Sequence, residues 1–107
     1  MENLLFLPLR QNENPHSVLI PQILYRHALN LFDAQKYMET GDLLERVSPT
    51  EIDRSQVDEY LFKKAYCHLE NRELQKALED FAQVEKMPFS DYTAPSRYAM
   101  GYAQYQL

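Results

Sequence analysis

The chain has 107 residues, of which 45% are hydrophobic and 25% charged, a composition that suits one soluble globular domain with a modest core. Its formal net charge is −5 and its 11 lysines and arginines are scattered, so the basic face that nucleic acid or an anionic membrane requires is not expected. A single cysteine cannot form an internal disulfide, so cysteine usage leaves the redox compartment open.

The N-terminal segment has an apolar run from Leu4 to Leu9 that is broken by Pro8 and preceded by Glu2 rather than by basic residues. This pattern is typical of neither a signal peptide nor a membrane span, and no other apolar stretch approaches the roughly 18 residues that a span needs. We expect residues 1–20 to form a capping segment with a short helix, in which Leu4, Leu5 and Phe6 pack on the helices beyond residue 20.

The rest of the chain contains an internal repeat. When segments 24–32, 61–69 and 97–105 are aligned, the small residues Ala28, Ala65 and Gly101 coincide at spacings of 37 and 36 residues. The segments after the first two also align at a spacing of 37. That alignment places Thr40, Leu44 and Val47 against Ala77, Phe81 and Val84. The chain is therefore predicted to contain two and a half copies of one repeat unit. The copies occupy residues 21–52, 58–89 and 94–107 of an array that covers 21–107.

Each complete unit predicts two antiparallel helices. Apolar residues recur at helical spacing, and a small residue, Ala28 or Ala65, lies where the partner helix must approach closely. Short polar turns at 33–36 and 70–73 reverse the chain, and Pro49 and Pro88 close the second helices because proline cannot continue a helix. Segments that alternate with the period of a strand are almost absent, so the sequence predicts an all-α fold of helix hairpins.

The order of these residues resembles the tetratricopeptide repeat (TPR). A bulky residue is followed four positions on by a small one, then by a turn ending in Tyr37 or Leu74 and by a small Thr40 or Ala77. The resemblance implies a right-handed superhelical array of α-helical hairpins. The chain departs from the family at Gln35 and Arg72, where the family's turn prefers glycine, and its linkers are longer.

A narrower likeness covers VDEYLFKKAYCHLENRELQKALEDFAQV and the Tyr-Thr-Ala-Pro-Ser-Arg-Tyr-Ala-Met-Gly-Tyr segment that comes after it. This region is similar to the TPR regions of Bacteroidetes cell-envelope proteins related to the TolA-binding protein. That likeness implies a place in the periplasm or cell envelope; without it, we expect the cytoplasm.

The TPR resemblance also implies a concave face, lined by the first helix of each unit, that binds an extended or helical segment of a partner protein. The positions that would face this groove are aromatic or acidic apart from two leucines. They are Tyr25, Leu29, Phe32 and Asp33 in the first unit, Phe62, Tyr66, Leu69 and Glu70 in the second, and Tyr98, Tyr102 and Tyr105 in the half unit. Two alternatives stay open: these rings bind a partner, or the N-terminal segment or a second chain covers them. The basic clamp of chaperone-binding members is not reproduced, so a chaperone tail is not the expected partner.

The adjacent Cys67 and His68 are not a metal site in this interpretation. Neighbouring side chains on a helix diverge by about 100 degrees, so the pair cannot share one metal without other ligands. Cys67 aligns with Asn30 and Ala103 and is predicted to be a small packed residue, and His68 aligns with Leu31 on the core side. Acidic residues such as Glu59 have a basic residue at helical spacing, here Lys63, and the two are expected to form an ion pair on the helix surface. We therefore expect no catalytic residues, no cofactor and no metal.

The C-terminal half unit is a first helix without a second, which leaves aromatic surface without a partner helix. The residues concerned are Tyr98, Met100, Tyr102, Tyr105 and Leu107. Either the repeats continue in a longer protein or this helix pairs with its copy in a homodimer. The sequence thus favours a non-enzymatic protein-interaction scaffold, with a structural self-assembly module as the alternative.

Overall fold

The computed structural model describes residues 16–107, with side chains from residue 20 onward. It contains five α-helices, each packed against the next along the chain, and two short 3-10 helices in the linker between α2 and α3. The α-helices are α1 (His16–Asp33), α2 (Tyr37–Glu45), α3 (Val57–Glu70), α4 (Leu74–Glu85) and α5 (Thr93–Gln106). The described part has no strand, so the all-α prediction is confirmed. The predicted packing of Leu4, Leu5 and Phe6 lies outside the described residues.

The two helix pairs α1–α2 and α3–α4 have corresponding bounds. Helix α1 ends at Asp33 and α3 at Glu70, and α2 begins at Tyr37 and α4 at Leu74, so both boundaries repeat after 37 residues. The turns repeat as well. The Lys36 N–H donates to the Leu31 carbonyl at 3.0 Å, and the equivalent Glu73 N–H donates to the His68 carbonyl at 2.7 Å.

Small side chains lie where the helices of each pair cross. Ala28 and Thr40 in the first pair, and Ala65 and Ala77 in the second, are all fully buried. Thr40 can take the place of an alanine because its hydroxyl donates to the carbonyl oxygen of Lys36, at 2.8 Å, and so is not left unpaired in the core. The small residues that the sequence assigns to the helix crossings are therefore all in the core.

The core continues from one pair to the next through Tyr60 of α3. Its ring is buried, and its hydroxyl lies within hydrogen-bonding distance of two carbonyl groups at the end of α2, those of Leu44 (3.1 Å) and Val47. A helix leaves its last four carbonyls without partners inside the helix, so this tyrosine both fills the core and caps α2. Ile52, in the linker between the pairs, is buried in the same cluster.

The prolines do not act as expected. Helix α2 ends at Glu45 and α4 at Glu85, each before the proline that the sequence predicts to close it. Pro49 instead begins the 3-10 helix Pro49–Glu51. Ser48 and Glu51 form a reciprocal capping box at the start of this helix. Pro21 lies inside α1, which runs through it without a break in the helix. None of the helices in the described part is long and apolar enough to cross a membrane.

Both interhelical turns contain a residue in the left-handed region, where L-amino acids with a side chain are disfavoured. Gln35 has φ 63° and Arg72 has φ 65°, again 37 residues apart. At both positions the resemblance described above leads one to expect glycine. The two turns therefore adopt a positive φ, which glycine favours, even though each residue there has a side chain that makes this φ sterically unfavourable.

We predict that Gln35→Gly stabilises the protein by up to about 1 kcal/mol, because glycine adopts positive φ without steric cost. Urea denaturation monitored by circular dichroism measures the change. The control is Ala34→Gly, one residue earlier in the same turn, where φ is not positive and the added freedom is expected to destabilise the fold by about 0.5–1 kcal/mol. Equal destabilisation by both variants would contradict the prediction.

Candidate interaction surface

Three aromatic rings meet where the first helix pair contacts the second. Phe32 is in the last turn of α1, Tyr37 begins α2, and Tyr66 lies in α3. Their ring centroids are 5.4–5.5 Å apart in all three pairs, and each pair meets edge to face. This arrangement is favourable for aromatic rings because the positive edge of one faces the negative face of another.

The ring contacts continue along the molecule. Phe62 stacks on Tyr66 with 6.4 Å between centroids and contacts Tyr92, just before α5, at 4.9 Å. All five side chains are partly exposed. We call Phe32, Tyr37, Phe62, Tyr66 and Tyr92 the aromatic band. It runs across both helix pairs to the start of α5.

The predicted groove residues divide into three groups. Phe32, Phe62 and Tyr66 belong to the aromatic band, whereas Tyr25 and Leu69 are 2% and 8% exposed and lie in the core, with Leu29 partly buried beside them. The Tyr25 hydroxyl donates to the Glu59 carboxylate at 2.9 Å, and burial followed by this carboxylate raises the pKa of Tyr25. Tyr25 and Leu69 therefore present no surface to a partner.

Sequence reasoning missed Tyr37 and Tyr92 as members of this surface. The repeat pattern assigns Tyr37 to the turn and second helix of its unit, and Tyr92 to the linker before the half unit. The signal that could have found Tyr37 is its place directly after a turn that brings it back beside Phe32. Tyr92 has no comparable signal, because a linker's path is set by the helices that it joins.

The third group, on α5, is exposed. Tyr98, Tyr102 and Tyr105 are 80%, 47% and 86% exposed, and Leu107 is 63% exposed, whereas Met100 is partly buried against the core. Helix α5 packs on α4 through a narrow stripe formed by Ser96, Ala99 and Ala103. A β-carbon at Gly101 would meet nothing within 4 Å, although the aligned Ala28 and Ala65 are fully buried.

Carboxylates flank the aromatic band. Burial and then the negative charge of Glu70 raise the pKa of the Tyr66 hydroxyl. At the other end, burial and then the charges of Glu59, Asp58 and Asp91 raise the pKa of Tyr92. The phenol groups therefore resist ionisation, and carboxylates at both ends of the band contribute to that resistance.

One basic side chain of α3 lies against the band. The Lys63 ammonium is 5.0 Å from the centroid of the Phe32 ring and 3.2 Å from a carboxylate oxygen of Glu59. The Glu59–Lys63 ion pair that the sequence predicts is thus confirmed. In the structure this pair also places a cation over an aromatic face, a favourable arrangement because the ring face is electronegative.

Cys67 is packed as predicted. It is 1% exposed, lies against Gly41 of α2, and has a pKa raised to about 12 by burial and then by Glu70. A thiol with such a pKa is protonated at neutral pH and is a poor nucleophile. The adjacent Cys67 and His68 do not act together, because the His68 ring contacts carboxylates of other elements.

His68 is buried as predicted, but its surroundings were not foreseen. One ring nitrogen is 2.9 Å from Glu73, and the other is 3.4 Å from Glu45 of α2 and 3.7 Å from Asp80 of α4. This histidine of α3 therefore joins α2 and α4 through their carboxylates. Among the side chains that the structure describes, from residue 20 onward, no group of three or more His, Cys, Asp or Glu could hold a metal ion.

We predict that Asp80→Asn stabilises the protein at neutral pH. Burial raises the pKa of Asp80 and the charge of Glu45 adds to it, although Lys64 and His68 oppose them. A raised pKa in the folded state means that the stability from this group is present at low pH and lost as pH rises through that pKa. Asparagine cannot ionise, so the variant avoids this loss.

Urea denaturation between pH 7 and pH 4 tests this. The advantage of Asp80→Asn should shrink as the pH falls towards the ordinary carboxyl pKa of about 3.9. Glu39→Gln, which removes an exposed carboxylate of α2 that is not among the charges acting on Asp80, is the control and should change stability little across this pH range. An Asp80→Asn variant that is less stable than the parent at pH 7 would show that the contact with His68 outweighs the burial of the charge.

Comparison of the chain with models of known protein families, with curated proteins and with solved structures finds no match.

Proposed function

We propose that this protein is a non-enzymatic protein-interaction scaffold, in which TPR-like helix pairs present the aromatic band to a segment of a partner protein. The observation that carries the proposal is five partly exposed rings in continuous contact across both pairs. Tyrosine and phenylalanine offer large apolar areas at low entropic cost, and tyrosine adds a hydroxyl, which is why aromatic residues are enriched at binding surfaces.

The TPR-like character of the array has three supports. They are the 37-residue correspondence of helix bounds, the buried small residues at both crossings, and the left-handed residue in both turns. Arrays of this kind bind partners along the face lined by their first helices, and α1 and α3 supply three of the five rings. The cell-envelope location remains part of the proposal and rests on the narrower resemblance alone.

We predict that Tyr37→Ala weakens binding of peptides selected on this protein from a random displayed library by about tenfold or more. The substitution removes one of the three rings that meet edge to face, and truncation of a central aromatic residue at an interface typically costs about 2 kcal/mol. Fluorescence anisotropy of a labelled selected peptide measures the affinity.

The matched control is Met38→Ala, the next residue of α2, which is 68% exposed and makes none of the band's ring contacts. Both variants are first checked by thermal denaturation to be folded at the assay temperature. Peptides that bind the parent and Tyr37→Ala equally would exclude the band as the binding surface.

A second candidate function is self-assembly through α5. It is favoured by the open space at Gly101, which lies between the exposed Tyr98 and Tyr105 on a helix that, among the described elements, packs mainly on α4. The aligned positions of α3 are Phe62, Ala65 and Leu69, of which Ala65 and Leu69 are buried and Phe62 is partly exposed. A helix from a second copy of the chain could approach closely at the glycine.

For this candidate we predict a mass of twice 12.7 kDa by light scattering at high protein concentration. Gly101→Arg, which places a long charged side chain in the open space, should return the mass to that of a monomer without lowering the melting temperature. A monomeric parent protein at every concentration would exclude self-assembly and leave the scaffold as the function.

A further inference from the structure

The charges around the aromatic band favour one class of partner. Asp33 and Glu70 are the last residues of α1 and α3, so they occupy equivalent positions 37 residues apart. Asp33 comes directly after Phe32, and Glu70 acts on Tyr66 closely enough to raise its pKa. Both carboxylates are exposed. Each of the two helices that supply Phe32 and Tyr66 therefore ends in an exposed carboxylate, and that of Glu70 lies close to the Tyr66 ring.

These positions are electrostatically unfavourable for the protein itself. The C-terminal end of a helix carries a partial negative charge, so an acidic residue there is repelled and a basic one is preferred. Helix α1 has no basic residue in its last turn, whereas α3 has His68 there. The end of α1 thus adds its negative potential to that of Asp33, and a positive group from outside would relieve the repulsion.

Acidic residues also lie at the opposite end of the band, around Tyr92. Glu59, Asp58 and Asp91 act on Tyr92. The Asp58 carboxylate keeps its charge but is already hydrogen-bonded within the protein, since it accepts from the Ser90 hydroxyl at 2.6 Å and from the Glu59 N–H at 2.7 Å. Asp91 is exposed. The band is therefore acidic at both ends.

The molecule already contains an example of the contact that such a surface favours. The Lys63 ammonium lies 5.0 Å from the centre of the Phe32 ring while it pairs with Glu59. A cation is bound there by an aromatic face and a carboxylate together. Tyr37 and Tyr66 offer further ring surface beside the exposed Glu70, where a cation from a partner would find the same two kinds of group.

From this charge complementarity we infer that the partner segment is cationic, with arginine or lysine side chains that pack against the rings of the aromatic band and pair with Asp33 and Glu70. This inference rests on the proposed scaffold function and specifies its partner. Arginine fits best, because its planar guanidinium stacks on aromatic faces and binds a carboxylate through two parallel hydrogen bonds.

The test uses three labelled peptides of equal length that share their leucines and alanines and differ only at alternate positions, which carry arginine, glutamine or glutamate. Fluorescence anisotropy measures their affinity for the parent protein and for two double variants. Asp33→Asn with Glu70→Gln removes the two carboxylates at the helix ends. Glu39→Gln with Asp42→Asn removes two negative charges from the groove between α1 and α2, which contains none of the band's rings.

We expect the arginine peptide to bind more tightly than the other two and to lose about tenfold in affinity with Asp33→Asn and Glu70→Gln. The Glu39→Gln and Asp42→Asn control should lose less than about twofold. Binding should weaken as salt is raised, since exposed charges are screened within about 10 Å at 0.1 M. Amide chemical shifts of Phe32 and Tyr66 should move on titration with the arginine peptide.

Other results overturn the inference in distinguishable ways. Equal losses in the two double variants would mean a general attraction of cations by an acidic protein. Equal affinities for the arginine and glutamine peptides, both lost in Tyr37→Ala, would keep the scaffold and exclude a cationic partner. If the arginine peptide does not bind at all, the inference fails, while the peptides selected from the random library still decide the scaffold function through Tyr37→Ala.

Discussion

The close approach of two helices at a small residue is the contact on which the rest of this structure depends. Ala28 and Thr40 in the first pair, and Ala65 and Ala77 in the second, are small residues of facing helices, and none of the four side chains is accessible to solvent. Closely packed interiors tolerate little change in volume, so a larger residue at any of these sites would separate the helices of a pair. Once the helices of a pair are packed in this way, other residues on them contact the next pair.

The surface is a consequence of that packing. Because the small residues and Tyr60 fill the core, the aromatic side chains between them are only partly covered and meet one another along one side of the molecule. The same rings stabilise the junction of the pairs and remain available to a ligand. Carboxylates lie at two helix ends and beside Tyr92, so the surface combines aromatic rings with neighbouring negative charges.

Helix α5 packs differently from the first helices of the two pairs. Its buried stripe packs on α4, but Gly101 lies open where the other units have a buried alanine. The buried histidine His68 is a different kind of feature. It links α3 to α2 and α4 through carboxylates of Glu45, Glu73 and Asp80, so stability at this junction depends on ionisation as well as on apolar packing.

The sequence by itself determined the helical class, the 37-residue period, the small crossing residues and the burial of Cys67, because these depend on local periodicity and on comparison of one segment with another. It also predicted the Glu59–Lys63 pair, which spans one helical turn. The expected closure of α2 and α4 by Pro49 and Pro88 was wrong, since both helices end in hydrogen-bonded turns before the prolines.

Only the tertiary structure decided which of the aromatic residues belong to the core and which to the surface. Tyr25 and Phe62 occupy aligned positions in the repeat, yet Tyr25 is buried against α3 whereas Phe62 stays partly exposed. Tyr92 and the carboxylates around His68 reach their sites from elements that are separate in sequence. Such contacts depend on how the helices are arranged in space, and the pattern along a single helix carries no information about them.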